Sequence, residues 1–181
     1  RIGAVVLAAG EGARLGGRAK GLIEIDSEPL LLRALRVLSE VGVDEVVVVT
    51  GHYRSEMSTL LALARPLFDE NQPIEVVQPV ERHSQRDSLR LGVAGLSPEL
   101  DAIMVQPVDM PALTRQDLIA LIGAYKHADV GVEFVGPMVG ARPGNPVLFS
   151  RHIALQIEQG GGDFGSGAWR HQHQDWLLEW Q

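Results

Sequence analysis

The chain contains no cysteine, which excludes both disulfides and thiolate chemistry and leaves nothing that points to secretion. It has no apolar run near the roughly 20 residues needed to span a bilayer. Its first residues form a strand-like run, not a basic stretch leading into an apolar plug and a cleavage site, so no signal peptide is read. An excess of positive charge is also missing: 16 Lys and Arg stand against 23 Asp and Glu, a formal charge of −7. A general nucleic-acid binder would carry a basic face, so that class is set aside. The expectation is a cytoplasmic protein with neither nucleic acid nor membrane as partner. Any anionic ligand must be held by a local cluster of positive charge.

The remaining composition is that of a folded protein, with 45% apolar and 22% charged residues in 181, enough for one domain with a real core. Apolar runs alternate with helical patterns. Ile2 to Ala8 reads as a buried strand, and Pro29 opens a helix whose apolar face is Leu31, Leu35, Leu38 and Val41, stopped at Gly42. Glu45 to Thr50 is a second strand, apolar on both faces, and Ser55 to Ala64 is helical up to Pro66. A short strand at Ile74 to Val77 precedes a helix from Gln85 to Gly95, and Asp101 to Gln106 is a fourth strand. Thr114 to His127 is a helix opened by Thr with an acid three residues on. Strands near Asp129 to Val135 and Pro146 to Phe149, then a helix at Arg151 to Gln159, complete the pattern. The tail from Gly160 is glycine-rich, then polar and tryptophan-containing.

This alternation predicts βαβ units in an α/β fold: a single-domain, doubly wound, mainly parallel Rossmann-like sheet spanning residues 1–181. Ligands of such sheets bind beyond the carboxyl ends of the strands. The loops after Ala8, Thr50, Val77 and Gln106 are therefore expected to converge on one crevice.

The first of those loops carries glycines 10, 12, 16 and 17 together with Arg14, Arg18 and Lys20. A P-loop would need Lys directly after the second glycine of its spacing, but Arg18 follows Gly17. A dinucleotide fingerprint would need glycine where Leu15 stands, and no acid closes the second strand. What remains is a longer loop whose N–H groups can form an anion nest, with Arg14 and Lys20 as its charges. Four glycines and three cations directly behind a buried strand are hard to explain by solvation alone.

"LAAGEGARLGGRAK" resembles the LAAGxSxRxGxxK signature of the MobA-like nucleotidyltransferases, and within them the molybdenum cofactor cytidylyltransferase branch. The likeness continues in order through "PLLLRALRVL", "VVVVTGH", "DSLRLGV", "PVDMPAL" and "GNPVLF". It implies an enzyme that joins a nucleoside triphosphate to a phosphorylated acceptor with Mg²⁺ and releases pyrophosphate. On that resemblance Leu7, Ala8, Ala9 and Gly10 contact the base and ribose, while Gly12, Arg14 and Lys20 hold the triphosphate. Gly12 stands where the signature has serine, so one hydroxyl contact must be replaced by backbone.

Asp109 follows the fourth strand, bracketed by Pro107 and Pro111, which stiffen its backbone. A triphosphate enzyme needs one or two carboxylates for Mg²⁺, the phosphates completing the octahedron. The resemblance gives Asp109 that role. Asp163, among glycines, is a second candidate metal ligand or else part of a solvent loop. Asn145 either orients a phosphate or makes the turn into the next strand.

On the acceptor side, Ser84 and Asp87 have capping-box spacing, with Arg82, His83, Arg86 and Ser88 around that helix start. Ser88-Leu89 matches the resembling family segment, whereas Gln85 and Arg86 replace smaller residues. An anion site and a capped surface helix are equal readings here. His52, after the second strand, is a candidate acceptor contact. His171 and His173 are expected as exposed helix residues, and Trp169, Trp176 and Trp180 as packing or oligomer contacts. CTP is favoured over GTP by the "LAAG" form, although "KGL" leans towards the guanylyl pattern. Molybdopterin is the favoured acceptor, sugar phosphates and methylerythritol phosphate are alternatives, and a molybdoenzyme is a candidate partner. A non-catalytic nucleotide- or cofactor-binding accessory protein is the competing class.

Overall fold

The structure, a computed structural model, describes residues 1–10, 12, 16–68, 72–79, 84–160, 164 and 167–180. β1 (Ile2–Leu7) is apolar throughout because it runs through the middle of a sheet covered on both faces. A small antiparallel pair follows, β2 (Glu24–Ile25) and β3 (Glu28–Pro29), before α1 (Leu30–Val41). Next come β4 (Glu45–Thr50), α2 (Arg54–Ala64), β5 (Ile74–Val77), α3 (Gln85–Ala94) and β6 (Ala102–Pro107). The second half holds α4 (Arg115–Lys126), β7 (Phe134–Val139), β8 (Arg142–Pro143), β9 (Val147–Ser150) and α5 (Arg151–Glu158). It closes with α6 (Gly167–Gln172) and β10 (Leu177–Trp180).

The strand order is β10-β7-β9-β6-β1-β4-β5, with β8 added onto β7. β5, β4, β1 and β6 are parallel, as are β7 and β10, while β9 is antiparallel to both neighbours. This is the expected mainly parallel α/β sheet, with β9 and the added β8 as its reversed strands. Period-two alternation splits the buried side chains into two cores. Ala4, Val6, Val46, Val48 and Met104 face α1, α2 and α4, meeting the fully buried Leu31, Leu35 and Leu38. Val5, Val47, Val49, Ile103 and Val105 face α3, α5 and α6. Truncating any one of the three α1 leucines to Ala would cost about 2–5 kcal/mol. Among the described residues, no helix is long and apolar enough to cross a membrane.

The structure departs from the sequence reading in several places. Pro29 is not the first residue of α1 but the one before it; the Leu30 N–H is used by the Ile23 carbonyl at 2.9 Å. The strand expected near Asp129 to Val135 begins only at Phe134. Asp129 to Val132 forms a turn closed by the Val132 N–H on the Asp129 carbonyl at 3.1 Å, with Gly131 at φ +102° and Val130 fully exposed. β7 then runs on through Pro137, which on one flank falls between the residues paired with β9 and those paired with β8. The tail supplies a last helix, α6, and an edge strand that no sequence signal announced, β10, aligned with β7 from Leu177 beside Phe134. Trp169 is buried against Phe134 and Phe164. His171 is exposed on α6 as expected. His173 lies beyond that helix, half-buried between the rings of Trp169 at 4.6 Å and Trp176 at 4.7 Å.

Candidate active site

The parallel strands β1, β4, β5 and β6 end along one edge, and backbone bonds tie the loops that leave them. The Ala8 N–H donates to the Val49 carbonyl at 2.9 Å, and the Val108 N–H to the Leu7 carbonyl at 3.1 Å. The Gln78 N–H donates to the Thr50 carbonyl at 2.8 Å. A Cβ on Gly51 would lie 2.9 Å from the Ala9 carbonyl oxygen, so the second loop can touch the first only as glycine. The four loops converge as the alternation predicts.

Leu7 is half-buried and Gly10 exposed, while Ala8 and Ala9 are buried on opposite faces of the sheet. With both methyl groups turned into the cores, what these alanines present to the crevice is backbone. Gly12 sits at φ +63°, and a Cβ there would fall 1.8 Å from the Arg18 carbonyl oxygen. The Gly17 N–H closes the same loop onto the Gly12 carbonyl at 3.2 Å. Glycine in place of the signature's serine is thus what this tightly folded loop requires.

Lys20 opens a single 3-10 turn, Lys20–Leu22, and reaches across to Asp109, where its ammonium donates to a carboxylate oxygen. Asp109 is placed two residues past β6, next to the buried and hydrogen-bonded Val108. Both side chains of the pair are about two-fifths exposed, at 40% and 41%. Arg14, Arg82, His83 and Asp163 lie outside the described residues.

The acceptor-side candidates are less uniformly placed. His52 is exposed beside Tyr53 at the start of α2. Asn145 is exposed in the turn between β8 and β9. Ser88 is buried, and its hydroxyl donates to Gln78 Oε1, which ties α3 to the loop after β5. The Ser84 cap is half a capping box: its hydroxyl accepts the Asp87 N–H at 3.0 Å and itself donates to the Asp87 carboxylate at 2.5 Å. The full reciprocal box forms at Thr114 and Asp117 on α4.

A cavity of about 650 Å³ runs from Leu7 along the first turn of α3 to Asn145 and Gly160. Among the described residues, Arg86, Arg90 and Arg170 line it. Arg86 also donates to the Gly160 carbonyl at 2.6 Å. Arg170 is buried, 5.1 Å over the Phe134 ring and 3.6 Å from a Glu179 oxygen. Burial pulls its guanidinium pKa down from the ordinary value, with Glu179 opposing.

Two of these groups were not singled out from the sequence. Arg170 becomes a cavity residue only through the docking of α6, which no periodicity announces. Tyr53 donates its hydroxyl to the Gly17 carbonyl and so tethers the glycine loop to α2. Its one sequence signal is its place directly after "TGH" at the end of a strand.

Among the described residues no group of three His, Asp or Glu could cage a metal. A single half-exposed carboxylate beside a cation-bearing glycine loop does suit Mg²⁺, which keeps waters and shares its sites with substrate phosphates.

Residues 4–176 match the sequence profile of the MobA-like NTP transferase domain. The chain is 31% identical over 126 residues to the bifunctional protein GlmU of Sorangium cellulosum, covering 69% of this chain and 26% of that protein. It is 30% identical over 155 residues to the 2-C-methyl-D-erythritol 4-phosphate cytidylyltransferase of Streptomyces coelicolor, covering 81% of this chain and 57% of that one. The chain therefore spans between a quarter and three-fifths of the length of these relatives. In structure it is similar to Rv0371c from Mycobacterium tuberculosis, with a TM-score of 0.77, 26% identity, and coverage of 99% of this chain and 86% of that chain.

Proposed function

The chain belongs to the MobA-like NTP transferase domain family, and on that premise we propose that its 181 residues act as a single Mg²⁺-dependent nucleotidyltransferase domain. The donor is a nucleoside triphosphate, CTP in preference to GTP, and the acceptor carries a phosphate. Molybdopterin is the acceptor we favour, with a molybdoenzyme as the downstream partner, on the resemblance to the molybdenum cofactor cytidylyltransferase branch, while the "LAAG" form of the first loop favours CTP. The observation that carries the reading is the meeting of Lys20 and Asp109 beside the folded glycine loop, at the edge where ligands of parallel sheets bind.

In this reading an acceptor phosphate oxygen attacks the α-phosphorus in line. The bond from that phosphorus to the bridging oxygen breaks, and the electron pair leaves with pyrophosphate. The acceptor is already an anion, so no general base is needed. Lys20 and Arg14 neutralise the β and γ phosphates, and backbone N–H groups of the loop from Gly10 to Arg18 hold their oxygens. Ala8 and Ala9 offer the base their backbone polar groups, with Leu7 and Gly10 flanking. Asp109 would hold Mg²⁺, with Asp163 as a second carboxylate, and when bound the ion supplies charge neutralisation on the phosphates. His52 and Asn145 contact the acceptor. Ser88, its proton engaged inside, acts by fixing the start of α3.

The test is pyrophosphate release with CTP, GTP, UTP or ATP, each with and without acceptor, in Mg²⁺ or EDTA. Release that requires both CTP and a phosphorylated acceptor is expected. Nucleotide binding without release under any acceptor would favour the accessory-protein reading.

A further inference from the structure

Lys20 and Asp109 are in direct contact and neutralise one another. We propose that Lys20 is the resident counter-ion of Asp109, so that the carboxylate binds a divalent metal more weakly until a triphosphate draws the ammonium away. The inference rests on the nucleotidyltransferase reading of this site and adds to it an order of events: metal and nucleotide enter as one unit.

Three features support it. The first is that the backbone on both sides of the pair is anchored. Ala19 is buried, and the 3-10 turn at Lys20 is closed by the Leu22 N–H on the Ala19 carbonyl at 3.0 Å and the Ile23 N–H on the Lys20 carbonyl at 3.1 Å. Asp109 follows the pinned Val108, and the Leu113 N–H closes the next turn on the Met110 carbonyl at 3.3 Å. With both backbones held, the long four-carbon stem of Lys20 is the part best able to move charge. The second is that among the described residues no group of three potential ligands forms, so Asp109 is not part of a ready-made cage. One carboxylate with an ammonium in contact is a poor lone site for a dication, because the two cations repel at short range. The third is that a triphosphate offers the ammonium a more highly charged partner while giving the metal further oxygen ligands, so both exchanges run the same way.

The experiment follows Mn²⁺ by the electron paramagnetic resonance of the free aquo ion. Retention by Asp109→Asn is subtracted, which removes weak sites on this acidic surface. Without nucleotide, wild-type protein is expected to hold Mn²⁺ only weakly beyond that background, and Lys20→Met about two- to fivefold tighter, the worth of a half-exposed ion pair. Lys20→Arg, which keeps the charge, should behave as wild type, and near-UV circular dichroism of the tryptophans checks that each variant is folded. With a non-hydrolysable α,β-methylene analogue of CTP, wild-type retention should rise more than about tenfold as phosphate oxygens complete the coordination. Equal retention by wild type and Lys20→Met in the absence of nucleotide overturns the inference. Failure of the analogue to bind at all would instead sink the nucleotidyltransferase reading, while the nucleotide-free comparison still decides this one.

Discussion

Lys20 and Asp109 are 89 residues apart in the chain and form one ion pair at the carboxyl edge of the sheet. Their partnership depends on β1 and β6 being direct neighbours, with Leu7 in register with Pro107. If they share the charge of a triphosphate and its metal, Lys20→Ala and Asp109→Asn should each lower turnover about 10²–10³-fold, the usual loss when one electrostatic donor is removed. The melting temperature should barely move, since an exposed pair contributes at most about 1 kcal/mol. Steady-state pyrophosphate release and thermal melts on the same preparations check both halves.

Gly12 makes a counter-intuitive prediction. Placing the signature's serine there should strain the loop, because a Cβ collides with the Arg18 carbonyl and a left-handed φ costs an L-residue roughly 1–2 kcal/mol. Gly12→Ser and Gly12→Ala should both weaken nucleotide binding about tenfold or more, alike whether or not a hydroxyl is present. Titration calorimetry with CTP reads this directly, and tighter binding by the serine variant would mean that the loop refolds around its ligand.

Tyr53→Phe removes only the hydroxyl that holds the Gly17 carbonyl, leaving the ring packed against the α1–α2 core. The loss of one hydrogen bond, about 1 kcal/mol, should appear as roughly fivefold weaker nucleotide binding. Unchanged affinity would show that the tether does not pre-form the loop.

Ser88→Ala separates a structural role from direct contact with acceptor. The hydroxyl serves Gln78 within the protein, so its removal should cost about 1–3 kcal/mol of stability. The acceptor KM should stay within about twofold, because α3 keeps the Ser84 cap, worth about 1 kcal/mol by itself. A large KM change in a fully stable variant would place the hydroxyl on the acceptor instead.

Acid should weaken the fold partly through Glu28. The Arg36 guanidinium grips its carboxylate in two bonds, at 2.9 and 3.0 Å, and holds the Glu28 pKa below the usual 4.5. With the folded value below the unfolded one, the unfolded chain takes up its proton first as pH falls. The stabilisation is therefore full above the unfolded pKa and is lost on passing down through the folded one. Between pH 6 and 3, wild type should lose about 0.5–1 kcal/mol more than Glu28→Gln, a figure discounted for the pair's partial exposure. Urea unfolding at both pH values measures it.

What the sequence determined by itself was local. The continuous apolar runs of β1 and β4 demanded a sheet covered on both faces, and the 3.6-residue spacing in α1 demanded a helix with one buried side. The glycines and cations behind β1 pointed to a candidate ligand edge, being hard to explain by solvation alone. Non-local outcomes were decided only by tertiary structure. β10 is an edge strand because β7 offers it an open ladder, and Arg170 lines a cavity because α6 docks beneath it. Gly12 is obligatory because the Arg18 carbonyl folds back over it, and Lys20 meets Asp109 because β1 and β6 lie side by side. Periodicity and turn chemistry act over a few residues and can be read along the chain. Strand order and the closing of a loop on itself depend on contacts between distant segments, which no local pattern encodes.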